Sequence, residues 1–230
     1  MPANTLLDTL REIDSPTLSN AIEHFDVRDR AAGYADLRLR CQFPEYPPMV
    51  GYAVTCTADT TSPGESRPSN FDKVLSAVDA ALKPAVVVVQ HVGADRLKSC
   101  FFGDMSASCL KRLGAVGVVT DGANRDRKGI AQRAPGFQVF SPGWVVSHGK
   151  GAFLDIGVQV SVCGLNIAPG DLLHGDENGV MVVPQDILGQ LIAKAREVQE
   201  AEREYFKFVE GDNFNLERLI KEITGHLPEP

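Results

Sequence analysis

Hydrophobic residues recur at helical spacing in several stretches of the chain. Leucines on one face predict a first helix that ends by Asp14. A second helix is predicted directly after it, with Ser15 as the N-cap and Pro16 at the first helical position. The same spacing predicts a helix over residues 71–82 and a long, charged helix over residues 186–209 near the end of the chain.

Continuous apolar runs predict strands that are buried on both faces. β-branched residues dominate positions 85–92, and a second apolar run covers positions 115–120. A helical pattern over residues 105–113 lies between the two runs. The three segments together predict a strand, a right-handed crossover helix and a parallel strand, which is the basic unit of an α/β fold.

Weaker patterns predict the remaining strands. Residues 50–56 alternate between apolar and smaller or polar side chains, as expected for a half-buried strand. Short strands are predicted over residues 137–140 and 158–163. Residues 170–184 have the pattern of a hairpin, with an Asn-Gly turn between two strands and a proline at the end.

Length and composition indicate one globular core. The chain has 230 residues, of which 43% are hydrophobic and 23% are charged. These values are typical of a folded domain that needs neither disulfides nor a structural metal for stability. We predict a single α/β domain over residues 1–209 and a C-terminal helical tail over residues 210–230.

The net charge and the cysteine content limit the classes of partner and the cellular compartment that we expect. The net charge of -7 argues against a nucleic-acid partner, because phosphate binding needs a basic face. We expect no membrane partner, since no apolar run approaches the ~20 residues that span a bilayer, and the N-terminus lacks the pattern of a signal peptide. The 5 cysteines include no C-x-x-C pair, which favours reduced thiols and a cytoplasmic location.

The densest candidate chemistry lies between Gly103 and Asp126. Gly103 precedes the predicted crossover helix, whose first turn carries N–H groups that can bind a carboxylate or phosphate. Twenty residues separate Asp104 from Arg125, and they comprise one helix, one strand and one turn. This spacing predicts that Asp104, Arg125 and Asp126 converge in the crevice at the carboxyl ends of the strands.

Each of these residues also has an ordinary structural interpretation. Asp104 could simply cap a helix, which is the usual role of an aspartate at such a position. Arg125 and Asp126 could form a solvated, charged turn. The buried strands that lead into these residues favour the functional interpretation for the three together.

The spacing of Asp104, Arg125 and Asp126 resembles that of the class II pyruvate aldolases acting on 4-hydroxy-4-methyl-2-oxoglutarate and 4-carboxy-4-hydroxy-2-oxoadipate. These enzymes share a fold with the regulator of ribonuclease activity A. Residues 17–21, 51–55 and 169–184 are similar to the family's N-terminal helix, first core strand and C-terminal hairpin. The resemblance implies the swivelling β/β/α-type α/β fold of this family, with N-terminal helices and a long C-terminal helix.

The resemblance also implies roles for the converging residues. Asp126 would ligate Mg²⁺ or Mn²⁺ directly, and Asp104 would hold a metal-bound water. Arg125 and Asp104 would be catalytic, with Arg125 stabilising the enolate that forms on the former keto oxygen. The substrate-binding residues implied by the resemblance are Gly103, Asp104, Met105, Ser106 and Arg125.

The family further implies an assembly in which a neighbouring subunit completes the site. Glu200 or Glu202 on the long helix would supply the neighbour's acidic group in a homotrimer or hexamer. A solvated helical face with i,i+4 pairs is an equally good interpretation of these glutamates. Trp144 and His148 either line a pocket that selects the distal group of the substrate or cover the core.

The function implied is a divalent-metal-dependent lyase that cleaves a 4-hydroxy-2-oxo acid to pyruvate by retro-aldol chemistry. Decarboxylation of oxaloacetate is an expected side activity, because it passes through the same enolate. The alternative is a non-enzymatic, ring-shaped binding module that regulates ribonuclease or helicase partners. The charged constellation favours the enzyme, since a binding ring has no need of that geometry.

Overall fold

The helices and strands of the computed structural model lie within residues 3–60 and 69–226, which are the residues that the structure describes. The helices are α1 (Ala3–Leu10), α2 (Ser15–Ile22), α3 (Phe71–Ala80), α4 (Asp104–Arg112), α5 (Arg127–Arg133), α6 (Leu188–Val209) and α7 (Leu216–His226). The strands are β1 (Arg40–Cys41), β2 (Met49–Asp59), β3 (Ala85–His91), β4 (Cys100–Phe102), β5 (Ala115–Thr120), β6 (Ala123–Asn124), β7 (Gln138–Ser141), β8 (Ala152–Ile156), β9 (Val160–Val162), β10 (Leu165–Ile167), β11 (Leu172–Asp176) and β12 (Gly179–Val183).

One mixed sheet organises the molecule. Its strands follow the order β1-β7-β5-β3-β2-β11-β12, and β8 pairs with β2 beside this path. Strands β7, β5, β3 and β2 are parallel to their neighbours in this run, whereas the pairings of β1, β8, β11 and β12 are antiparallel. At the centre, Val87 lies opposite Val54 on one side and Val118 on the other. The carboxyl ends of β2, β3 and β5 therefore meet at one edge.

Both faces of the sheet are covered, which explains why its central strands are apolar throughout. Helices α3, α4 and α5 pack on one face, where Val78, Leu110 and Ile130 are fully buried. The small β9–β10 hairpin packs on the opposite face. A third core joins α1, α2 and α6 to β11 and β12. Within the described residues, no helix is long and apolar enough to cross a membrane.

The predicted α/β architecture with N-terminal helices and a long C-terminal helix is confirmed, but several details differ. Strand β2 is buried almost throughout rather than on alternate positions, because it has paired neighbours on both sides and packing on both faces. The N-cap of α2 is Asp14 rather than Ser15, since the Asp14 side chain accepts a hydrogen bond of 2.8 Å from the Thr17 N–H. Helix α5 and strand β8 were not predicted.

The C-terminal tail contains helix α7. This helix turns back onto the end of α6, where the Phe208 and Phe214 rings lie 5.9 Å apart and Arg218 lies over the Phe208 ring. The division into a domain over residues 1–209 and a tail over residues 210–230 stays a prediction. Residues 1–2 and 61–68 of the predicted domain and residues 227–230 of the predicted tail lie outside the described part of the chain.

His174 on β11 joins the N-terminal helices to the sheet. The side chain is fully buried, and its Nε2 donates to the Ile13 carbonyl at 2.9 Å. Because Nε2–H is needed for this bond, Nδ1 is free to accept from the Ser15 hydroxyl at 3.0 Å. Asp176 accepts a hydrogen bond of 2.6 Å from the Ser15 N–H. Burial lowers the pKa of His174 and keeps the imidazole neutral.

The neutral state of His174 makes stability depend on pH in a defined direction. Unfolded chains protonate this histidine below its ordinary pKa of 6.5, whereas the folded protein resists protonation. The contribution of His174 to the free energy of unfolding is therefore fully present above pH 6.5, and it falls as the pH drops toward the folded pKa, by up to about 1.4 kcal/mol per pH unit. His174→Gln should show a shallower loss between pH 7 and 5 in urea unfolding.

The exposed His24 provides a matched control for this experiment. His24→Gln should keep the pH dependence of the wild-type protein. Equal slopes for the wild type and His174→Gln would show that His174 is not a buried neutral group.

Candidate active site

A short parallel pairing outside the main sheet brings the candidate residues together. Strand β4 follows β3 along the chain, β6 follows β5, and the two pair in parallel so that Phe102 lies opposite Asn124. The Arg125 N–H then donates to the Phe102 carbonyl at 3.1 Å. Gly103 and Arg125 are thereby held side by side at the carboxyl edge of the sheet.

Helix α4 begins inside this junction. Gly103 is its N-cap residue, with extended backbone, and Asp104 is its first helical residue. Asp104 is therefore not the N-cap itself, which removes the simplest structural interpretation of this aspartate. The N–H groups of the first turn have no intrahelical acceptor, and they lie where an anionic group can bind.

The two aspartates each lie against a glycine of the opposite segment. A Cβ on Gly103 would lie 2.5 Å from Asp126 Oδ2, and a Cβ on Gly129 would lie 2.5 Å from Asp104 Oδ2. Each carboxylate can take this position only because the residue that it lies against is a glycine, which has no side chain to clash with it. Arg133 at the end of α5 pairs with Asp104 at 2.6 Å, which fixes the orientation of that carboxylate. Arg133 was not identified from the sequence.

Arg125 and Asp126 form the other half of the site. The Arg125 Nε lies 3.2 Å from Asp126 Oδ2, and about a third of each side chain is exposed, at 36% and 39%. Asp126 directly precedes helix α5 and has φ 62°, in the left-handed region that few aspartates adopt. No described side chain or carbonyl accepts a hydrogen bond from the terminal nitrogens of Arg125. These nitrogens are available to a ligand.

The candidate residues line one cavity of about 410 Å³, a size typical of small-molecule sites. The predicted residues found in its wall are Gly103, Asp104, Met105, Ser106, Arg125 and Asp126. His148 also lines this cavity, which agrees with the first of the two alternatives that the sequence left open for it, pocket lining rather than core covering. Trp144 does not, because its ring packs edge-on against Phe43 at 5.9 Å and covers the core.

The two glutamates expected from a neighbouring subunit lie on α6, away from the cavity of their own chain. Glu200 is exposed and pairs with Arg203. Glu202 lines a separate groove between α6 and α7. Their contribution to a neighbour's site stays a prediction.

A buried polar cluster, made of Thr60, His91, Ser99 and Asp121, lies at the ends of β2, β3 and β5 and was not predicted. Thr60 Oγ1 contacts His91 Nε2, and it lies 2.7 Å from Ser99 Oγ. Asp121 accepts a hydrogen bond of 2.7 Å from the His91 N–H. Burial lowers the pKa of His91 and raises that of Asp121. Gly149, in the loop that carries His148, packs directly on Ser99, so the cluster supports that loop.

The carboxylates of the site are the kind of donor that a hard, hydrated cation prefers. Among residues 3–60 and 69–226, no group of three or more histidine, cysteine, aspartate or glutamate side chains could enclose a metal ion. Asp104 and Asp126 both line the same cavity. Mg²⁺ and Mn²⁺ are commonly held by one or two carboxylates, with water and substrate in the other positions. The residues present therefore fit Mg²⁺ or Mn²⁺.

Comparison with known proteins identifies relatives of this chain. A family model described as RraA-like, Aldolase/RraA matches residues 15–182. The uncharacterized protein MJ0644 of Methanocaldococcus jannaschii is 34% identical over 122 residues, which are 53% of this chain and 58% of that protein. A protein of Halalkalibacterium halodurans named putative 4-hydroxy-4-methyl-2-oxoglutarate aldolase is 34% identical over 127 residues, which are 55% of this chain and 59% of that protein. The chain thus spans less than two thirds of both relatives.

A solved structure shares most of this fold. Streptomyces coelicolor RraAS2, described as an unusual member of the RNase ES inhibitor RraA protein family, has a TM-score of 0.69 at 22% identity and covers 89% of this chain and 96% of its own. Fold and cavity together define an α/β protein with a charged site at the carboxyl edge of a mixed sheet. The chain belongs to the RraA-like family. The resemblance inferred from the motifs, and the fold that it implies, are confirmed.

The contact between Gly129 and Asp104 can be tested by adding one methyl group. Gly129→Ala should displace the Asp104 side chain, because the new Cβ would lie within 3.0 Å of its Cβ, Cγ and Oδ2. We expect a loss of about 1–3 kcal/mol in the free energy of unfolding, measured with urea.

Gly189 in helix α6 offers the matched control, since nothing lies within 4 Å of a Cβ there. Gly189→Ala should stabilise the protein by up to about 1 kcal/mol through helix propensity. A Gly129→Ala variant as stable as Gly189→Ala would contradict the close packing of Asp104 on α5.

Proposed function

We propose that this protein is a divalent-metal-dependent lyase that cleaves a 4-hydroxy-2-oxo acid to pyruvate and a carbonyl compound. The observation that carries the proposal is the position of Arg125, which lines the same cavity as Asp104, Asp126 and the first turn of α4, and whose terminal nitrogens have no acceptor among the described residues. The names of relatives such as the Halalkalibacterium halodurans protein support the same reaction.

The cavity offers separate groups for the two ends of a pyruvyl unit. The N–H groups of the first turn of α4, at Asp104, Met105 and Ser106, would bind the carboxylate, with the helix dipole favouring its negative charge. The Arg125 guanidinium would donate to the 2-oxo group from its terminal nitrogens. Its Nε is already held by Asp126, so the planar group is oriented before the substrate binds.

The bond that breaks joins C3 and C4 of the substrate. The C4 hydroxyl loses its proton to Asp104 through an intervening water, a carbonyl forms at C4, and the electron pair of the C3–C4 bond moves into the enolate of pyruvate. Arg125 stabilises the negative charge on the enolate oxygen. A proton returned to C3 completes pyruvate. Decarboxylation of oxaloacetate gives the same enolate with carbon dioxide as the other product.

Asp126, and Asp104 through water, would hold the divalent cation. When bound, Mg²⁺ or Mn²⁺ would polarise the 2-oxo group and stabilise negative charge on its oxygen. Arg133 keeps the Asp104 carboxylate in one orientation by its 2.6 Å ion pair, and so acts as a positioning residue.

We further propose that the protein is a homo-oligomer and that it is cytoplasmic. A homotrimer or hexamer would bring Glu200 or Glu202 of a neighbouring subunit toward the cavity. All 5 cysteines are free, which accords with the proposed cytoplasmic location.

The direct test is pyruvate release coupled to lactate dehydrogenase. Oxaloacetate and 4-hydroxy-4-methyl-2-oxoglutarate should both yield pyruvate with Mg²⁺ or Mn²⁺ present, and EDTA should abolish the release until the metal is restored. Borohydride trapping of a pyruvate adduct on a lysine would instead indicate Schiff-base chemistry. Failure of both substrates under all conditions would favour the alternative, a ring-shaped module that binds ribonuclease or helicase partners.

Variants of the adjacent pair separate the two proposed roles. Arg125→Lys keeps the charge but loses the planar fork, so turnover should fall about 100- to 1000-fold with little change in metal affinity. Asp126→Ala should weaken metal binding, and excess Mg²⁺ should partly restore the rate. Asp104→Ala should lower turnover about 10- to 100-fold. The measurement is a Mg²⁺ titration of the steady-state rate for each variant.

Arg127 provides the matched control, because it is exposed and donates to the Gln42 carbonyl at 3.2 Å instead of lining the cavity. Arg127→Lys should keep wild-type turnover, and circular dichroism should show that all variants are folded. Near-normal turnover of Arg125→Lys, or unchanged Mg²⁺ dependence of Asp126→Ala, would overturn the proposed site.

A further inference from the structure

The cavity has a charged end and an apolar end. The charged end holds Arg125 and the two aspartates. A second cavity of about 220 Å³ adjoins the first, and the wall that the two share contains Phe71, Phe101 and His148. A pyruvyl unit bound at the charged end would therefore direct the rest of the substrate toward an aromatic wall and into the second cavity.

The aromatic wall is held rigidly by the structure behind it. Phe153 on β8 is buried, its ring stacks on Phe71 at 5.8 Å, and Phe101 packs edge-on against it. The start of α3 is fixed to β8, because the Asn70 side chain donates to the Phe153 carbonyl at 2.9 Å. A Cβ on Gly151 would lie 2.4 Å from the Phe101 ring, so only glycine leaves room for that ring.

No second cation is available at the apolar end among the residues that the structure describes. Of the lysines and arginines in residues 3–60 and 69–226, Arg125 alone lines the larger cavity, and none of them lines the smaller one. A distal carboxylate would lose water against the negative faces of Phe71 and Phe101, and no lysine or arginine among the described residues would compensate its charge there. An alkyl or aryl group would instead bury apolar surface against the same two rings.

We propose that the distal subsite, formed by Phe71, Leu75, Phe101 and His148, selects a 4-hydroxy-2-oxo acid whose C4 substituent is apolar rather than a second carboxylate. This inference rests on the proposed function, since it takes the charged end as the pyruvyl site. The carbonyl product of the cleavage is then an apolar aldehyde or ketone. Leu75 is half-buried and adds an aliphatic side chain to the wall of the larger cavity.

The first test compares two substrates with the wild-type protein and Mg²⁺ at pH 8. The value of kcat/KM for 4-hydroxy-2-oxo-4-phenylbutanoate should exceed that for 4-hydroxy-4-methyl-2-oxoglutarate by about 10-fold or more, the scale on which apolar pockets discriminate. Calorimetry with two compounds that cannot be cleaved, 4-phenyl-2-oxobutanoate and 2-oxoglutarate, should show the same preference in binding. A preference for the dicarboxylates would overturn the proposal.

The second test places a cation in the wall. Leu75→Arg should shift the ratio of the two kcat/KM values about 10-fold toward the dicarboxylate, because its carboxylate gains a partner. Leu82→Arg makes the same change at an exposed leucine outside both cavities, and it should leave the ratio within about twofold of wild type. An equal ratio of kcat/KM values in Leu75→Arg and Leu82→Arg would show that Leu75 is not part of the subsite.

These experiments test the apolar subsite and the proposed lyase activity independently of each other. Pyruvate release from both substrates with a dicarboxylate preference would keep the lyase and reject the apolar subsite. Binding of 4-phenyl-2-oxobutanoate in preference to 2-oxoglutarate, without cleavage of either substrate, would keep the subsite and reject the lyase. Equal binding of the two compounds would reject the subsite whatever the activity.

Discussion

The candidate site depends on the contact between helices α4 and α5, in which the carboxylate of each segment lies against a glycine of the other. Asp126 occupies the space that a side chain at residue 103 would take, and Asp104 does the same at residue 129. The parallel pairing of β4 and β6 sets this contact, since it fixes the starts of both helices relative to each other. Orientation of the charged groups is therefore a consequence of backbone packing and does not require a ligand.

The sequence predicts those parts of the fold in which one physical rule acts alone. The β-branched run that forms β3 is buried on both faces, as a continuous apolar strand in a parallel sheet should be. Strand β2 follows no such simple pattern, because small residues such as Gly51 let a neighbouring backbone approach closely. Helix α5 has only 7 residues and starts after a left-handed Asp126, so its sequence carries almost no periodicity.

The site could be predicted only as far as chain topology determines it. The spacing of Asp104 and Arg125 brings them to one edge through a strand and a helix, and that part needed no side-chain detail. Arg133 could not be identified, because its pairing with Asp104 requires a helix that the pattern does not show. The aromatic wall joins α3, β4 and β8, whose packing depends on the tertiary fold. For the same reason Trp144 could not be assigned to the core in advance.

Charge balance gives a physical reason why this arrangement would need a divalent cation for the proposed reaction. The two ion pairs, Arg125 with Asp126 and Arg133 with Asp104, leave the charged end with no net charge. The pyruvate enolate carries two negative charges, one on its carboxylate and one on the former keto oxygen. A neutral set of side chains can orient this dianion but cannot compensate it, and uncompensated charge in a partly buried cavity is costly. Within one subunit, two positive charges placed beside Asp126 would restore neutrality at the point where the negative charge develops. The apolar end, which no described lysine or arginine lines, would then have no electrostatic reason to admit a further anion.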